Sequence, residues 1–198
     1  MLRDGETVEN LKAYAGISEI LIGSEPDAVI RNITFEGLTF CNTTWMRPER
    51  RGGYFTRQAG FYVLPDIFQD DLNYWQRPEA AIKLYKTDGV RFINNEFVNL
   101  GNSAIDLEQA KNAVISGNLF TAVGGTSIVL GGFAPDIYHS YNENITTDNC
   151  EISNNVIHDI CTNSQSSCGI TVGYSRNINI LNNTIYNPPY SGISQGWG

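Results

Sequence analysis

No apolar stretch in this 198-residue chain approaches 18 residues, so no segment is long enough to cross a bilayer as a helix. There is no basic run either, and the formal net charge of −8 argues against nucleic acid as a partner. The opening Met1–Gly5 lacks the charged and apolar regions of a signal peptide. No stretch has the apolar spacing of a long amphipathic helix. The four cysteines, Cys41, Cys150, Cys161 and Cys168, follow no metal-site spacing. Cys161 and Cys168 bracket a serine-rich loop, where they are either a disulfide pair or plain thiols. With these classes set aside, the length suits one domain spanning 1–198.

What the chain does have is a repeat. An octapeptide recurs at Ile33–Phe40, Val90–Phe97, Ala113–Phe120, Cys150–Ile157 and Ile178–Ile185, with Phe or Ile at its third and eighth positions. Its sixth position is asparagine in the last four copies: Asn95, Asn118, Asn155 and Asn183. A second signature, carried by Ile82, Ile105 and Ile128, advances in steps of 23 residues, and Ile170 and Ile193 repeat that step later. Both segments alternate apolar and polar residues, the pattern of strands with one buried face. Gly, Asn and Asp between them are turn formers. Such a unit cannot bury its own apolar side and must stack on its neighbours.

These observations predict an all-β, single-stranded, right-handed parallel β-helix of about five to six coils. The isoleucines form an inner ladder, and the asparagines stack at one bend, tolerating a left-handed turn and bonding amide to amide. The period breaks at insertions of about 41–79, 132–148 and 161–167, and loops on a rigid stack are where function sits. The chain starts without an evident polar cap and stops part-way through a coil. It is therefore expected to be a piece truncated at both ends, and the full-length protein is expected to be extracellular or periplasmic. Asn32, Asn42, Asn144 and Asn182 stand in N-x-Thr sequons, which turn chemistry explains as readily as glycosylation.

Ile33–Trp45, Gly169–Asn177 and above all Pro189–Trp197 resemble a group of bacterial right-handed β-helix proteins that includes glycoside hydrolase family 141. That family acts on plant cell-wall glycans as fucosidase or xylanase. The resemblance covers nearly the whole chain and implies a carbohydrate-active protein whose partner is an oligo- or polysaccharide, with no cofactor.

The outward positions beside the isoleucine ladder are Lys83, Tyr85, Asp106, Glu108, Val129, Thr171 and Ser194. Asp106 and Glu108 project from one strand to the same side, about 7 Å apart at Cα. Glycoside hydrolysis needs two carboxyls, one protonated and one ionised, and close like charges push one pKa upward. The plain alternative is a solvated strand face. Asp159 is placed as a third candidate acid reaching the same groove from the side. Lys83, Asp136, His139, His158, Tyr174 and Trp197 are candidates for substrate binding. Trp45 and Trp75 also lie near insertions, where an aromatic face stacks on a sugar ring or anchors a loop. Asp88 and Asp148 occupy equivalent turns and read as structural. A Gly-His-Gly motif of the polygalacturonase type is absent. A polysaccharide lyase using Ca²⁺ and Lys83 as base is the alternative enzyme, and a non-catalytic glycan-binding solenoid is the third reading.

Overall fold

The computed structural model describes residues 16–23, 27–47, 53–67, 74–133 and 142–196. Three parallel strand stacks wind around one core. Stack 1 contains Leu21–Gly23, Ala80–Asp88, Ser103–Lys111, Ile128–Leu130, Cys168–Val172 and Ser191–Gln195. Stack 2 contains Thr34–Glu36, Arg91–Ile93, Val114–Ser116, Thr147–Ser153 and Ser175–Leu181, and stack 3 contains Thr39–Cys41, Glu96–Leu100, Leu119–Val123, Val156–His158 and Thr184–Tyr186. The chain visits the stacks in the same order in every coil, which makes the architecture a parallel β-helix.

The register follows the repeat. Ile82, Ile105, Ile128, Ile170 and Ile193 are consecutive partners in stack 1. In stack 2 the third octapeptide positions align as Phe35, Phe92, Ile115, Ile152 and Ile180. In stack 3 the eighth positions align as Phe40, Phe97, Phe120, Ile157 and Ile185. Equal side chains meet one coil apart, so like rings stack: Phe97 and Phe120 lie 4.7 Å apart and 6° from parallel. The inward isoleucines of the central coils are fully buried, whereas Ile193 on the last described coil is 45% exposed.

Asn95, Asn118, Asn155 and Asn183 form the expected ladder between stacks 2 and 3. Each of the first three donates its side-chain N–H to the next amide oxygen, at 3.0, 2.9 and 2.8 Å. The same oxygen also accepts the backbone N–H of the donating asparagine. The other side-chain N–H of each of the four reaches a carbonyl: Phe35, Phe92, Ile115 and Ile152. One expectation needs correction. The left-handed turn falls on the residue before the ladder: Gly37, Asn94, Gly117, Asn154 and Asn182 all have positive φ. Bending the preceding residue leaves the ladder asparagine free to point inward and bond along the axis.

The segment within 41–79 folds back against the helix. It contributes a short hairpin of Phe55–Thr56 and Tyr62–Val63, and Ala59 and Phe61 pack with Val129, Phe133 and Cys168 outside the main core.

Candidate functional site

The outer face of stack 1 carries Lys83, Asp106, Val129, Thr171 and Ser194 in register. Its middle is not an open groove. Asp106, Val129 and Thr171 are buried, and Ala59 and Phe61 of the 41–79 insertion pack with Phe133 on Val129. Arg77 arrives from that insertion. Its Nε donates to Asp106 Oδ2 at 2.7 Å, its Nη2 bonds Asp106 Oδ1, and its Nη1 donates to the Gly131 carbonyl at 2.7 Å. The guanidinium also lies 5.0 Å from the Phe133 ring centroid. Burial lowers the Arg77 pKa, but the Asp106 carboxylate beside it outweighs that effect and the net direction is upward.

Two charge-assisted hydrogen bonds tie Asp106 to the insertion. Asp106 therefore anchors the insertion to the strand, engaged by Arg77 and closed off from solvent. Glu108 remains half-buried beside this pair and interacts electrostatically with Arg77. Lys83 is half-buried on the same strand stack.

The remaining candidates do not converge there. His158 belongs to stack 3, in register with Thr121 and Tyr186. Its ring stacks on Tyr186 at 4.8 Å, and its Nδ1 lies 2.8 Å from Asp159 Oδ2. Asp159 occupies a left-handed bend with φ 51° and is exposed. The His158 hydrogen bond holds its carboxyl below the usual range. Asp159 and His158 thus stand on a different wall from Asp106, because the strand ends before the chain reaches stack 1. Tyr174 is buried, and its hydroxyl accepts the Asn142 N–H at 2.9 Å. Its backbone bridges to Gly132. It ties Gly132 to Asn142 within the second insertion. Asp136, His139 and Trp197 lie outside the described residues. Cys161 and Cys168 are free thiols, and burial pushes Cys161 up to about 12.

The insertion builds a cleft that the repeat does not reveal. Glu79, immediately before the first long strand of stack 1, accepts the Trp45 indole N–H at 2.8 Å and the Tyr62 hydroxyl at 3.3 Å. Arg47 Nε lies 3.5 Å from the same carboxylate, and its guanidinium sits 4.9 Å from the Tyr62 ring centroid. Burial, with the Glu79 charge, pushes Tyr62 up to about 12. Trp45 also packs against Tyr54, with centroids 4.5 Å apart.

Gly101 makes this arrangement possible. A Cβ there would collide with the Thr44–Trp45 backbone. Glu19, Trp45, Arg47 and Glu79 line a cavity of about 360 Å³. Trp45 and Met46 also line a second, of about 430 Å³, with Asn99, Ala122 and Asn163. A third, of about 500 Å³, is lined by Trp75, Tyr190 and Arg57. Tryptophans beside insertions were the only sequence signal for these places; Glu79 carried none. Among the described residues, no group of three or more His, Cys, Asp or Glu is placed to hold a metal ion.

Residues 78–197 match the family described as the right handed beta helix region. The chain belongs to that family. A solved structure described as "Glycoside hydrolase" superimposes on this β-helix with a TM-score of 0.83 at 29% identity. The match covers 99% of this chain and 37% of that one, so the β-helix chain spans little more than a third of the protein it matches. A search of curated proteins finds no match.

Proposed function

We propose that this β-helix protein acts on glycans as a glycoside hydrolase of the family 141 type, on plant cell-wall or host polysaccharide outside the cytoplasm. The observation that carries the reading is the Trp45 cleft, where an indole, a guanidinium and two carboxyl groups line one cavity. Aromatic rings offer apolar faces to sugar rings, and a few fixed polar groups orient them. The 29% identity to a chain described as a glycoside hydrolase supports the same class.

Within the cleft, Glu79 accepts hydrogen bonds from Trp45 and Tyr62, which hold its carboxyl in one orientation. That suits the base or nucleophile of a two-carboxylate mechanism. Glu19, on the same cavity wall, is the candidate acid. These two replace the Asp106 and Glu108 pair as first residues to test.

The experiment uses the full-length protein on a panel of cell-wall and host glycans, with reducing ends and unsaturated ends measured separately. Release of reducing ends that Glu79→Gln abolishes supports the reading. Unsaturated ends would transfer the protein to the lyase alternative. Binding without either product would leave a glycan-binding solenoid.

A further inference from the structure

A different corner of the helix gathers positive charge. Arg31, Lys86 and Lys111 line a cavity of about 540 Å³ between stacks 1 and 2, together with Tyr85, Asp88 and Gln109. The chain has 13 Lys and Arg residues in all and a net charge of −8, so three cations on one cavity are a local concentration of positive charge. Asp88 neutralises one of them, Arg31. Its carboxylate accepts Arg31 Nη1 at 2.6 Å and Asn112 Nδ2 at 2.7 Å. Lys111 stands in register between Asp88 and Asp148, but an arginine already engages each: Arg31 at Asp88 and Arg176 at Asp148. Among the described residues, the Lys111 ammonium has no hydrogen-bond or ion-pair partner.

The backbone aims further groups at the same place. Lys86 and Gln109 occupy equivalent positions in consecutive coils, and both stand in the left-handed region, at φ 58° and 53°. The same conformation recurs at other bends of this helix, at Asn94, Asn154 and Asp159 among them, and here it sets the direction of the two side chains. The twist interrupts the regular alternation of the strand and turns both side chains toward the cavity they line. Gln109 Nε2 donates to the Tyr85 hydroxyl at 2.6 Å, which fixes both polar ends beside the cations. The site therefore combines an aromatic ring, neutral hydrogen-bonding groups and ammonium groups. The volume lies within the usual small-ligand range of about 300–1,000 Å³.

We infer that this cavity binds a sugar unit bearing an anionic oxygen group, a carboxylate or a sulfate ester, with Lys111 as its principal charge partner. The ligand class rests on the glycan-directed reading above; the charge does not. Tyr85 supplies a face for the ring, Gln109 meets hydroxyl groups, and Lys111 receives the anion. The site is built on the corner between stacks 1 and 2 and is lined by none of the residues of the Trp45 cleft.

Calorimetry on the full-length protein tests this without requiring turnover. The probes are an oligogalacturonate, a sulfated oligosaccharide and a neutral xylo-oligosaccharide of equal length. An anionic probe is expected to bind more tightly than the neutral one, and the preferred anion identifies carboxylate or sulfate. Lys111→Gln should weaken that binding by about tenfold, the scale of one lost charge-assisted hydrogen bond, while Lys111→Arg retains most of it. An unchanged thermal melt shows that Lys111→Gln is folded. Equal affinity for neutral and anionic probes, or full affinity in Lys111→Gln, overturns the inference. Failure to hydrolyse any glycan overturns the hydrolase reading alone, since anion binding is measured independently.

Discussion

Arg77 clamps Asp106 from 29 residues away in sequence. One side of the pair comes from the insertion and the other from the second long strand of stack 1, so it holds a folded-back segment against the helix. Removing the cation leaves a buried carboxylate unpaired. Arg77→Ala is expected to destabilise the fold by about 3–5 kcal/mol, read from denaturant melts. Arg77→Met with Asp106→Leu should recover much of the loss, because it removes both charges and keeps the apolar volume. A single Arg77→Ala variant as stable as wild type would show that the clamp contributes nothing.

Asn118 sits mid-ladder with its amide fully bonded. Asn118→Leu strips the acceptor from the Asn95 N–H groups and the donor from the Phe92 carbonyl. A loss of about 1–3 kcal/mol is expected for buried groups left unsatisfied. Asn183, at the half-buried end of the ladder, should be less sensitive to the same change. Equal melting midpoints for wild type and Asn118→Leu would contradict the ladder's contribution.

The two acidic sites should separate in kinetics. Glu79→Gln is expected to lower glycosidase turnover by at least about 10²-fold, the usual scale for a positioned acid or base, with the fold intact. Asp106→Asn should act chiefly on stability. If Asp106→Asn instead removes turnover in a fully folded protein, the catalytic assignment returns to stack 1.

Asp148 titrates with a pKa held low, first by its Arg176 hydrogen bond and also by Asn177. A depressed folded-state pKa contributes stability above the ordinary aspartate value of about 3.9, and that contribution disappears as pH falls through the folded value. Asp148→Asn should therefore flatten the acid limb of the stability profile below about pH 4. The pair lies at the surface, so the effect at neutral pH should stay within about 1 kcal/mol. Melts from neutral to acid pH measure it; parallel profiles for the two proteins would refute the linkage.

Thiol labelling reads the packing directly. Cys41 is exposed, whereas Cys150, Cys161 and Cys168 are buried. Burial pushes Cys150 up to about 11 and Cys161 up to about 12. Thiolate is the reactive species, so a native alkylation experiment should modify Cys41 first. Mass spectrometry after unfolding without reductant should find all four labelled. Finding only two would establish a disulfide.

The sequence by itself determined the β-helix, its strand order and its register. Phe35, Phe92 and Ile115 share a position in the repeat, and stacking carries that position unchanged from coil to coil. The asparagine ladder was legible for the same reason: Asn95, Asn118, Asn155 and Asn183 announce a bond along the axis by recurring at one step. The exact left-handed residue was not, because Asn or Gly stands on both sides of that bend and only the φ angles distinguish them. The outward face was read correctly in register and wrongly in exposure. Asp106 points away from the core as its strand alternation requires, but Arg77 and Phe133 cover it. Glu79 joins Trp45 and Tyr62 only after the insertion has folded back. Such contacts have no period. They follow from where a particular irregular segment finds complementary charge and apolar surface, and that was decided by the tertiary structure alone.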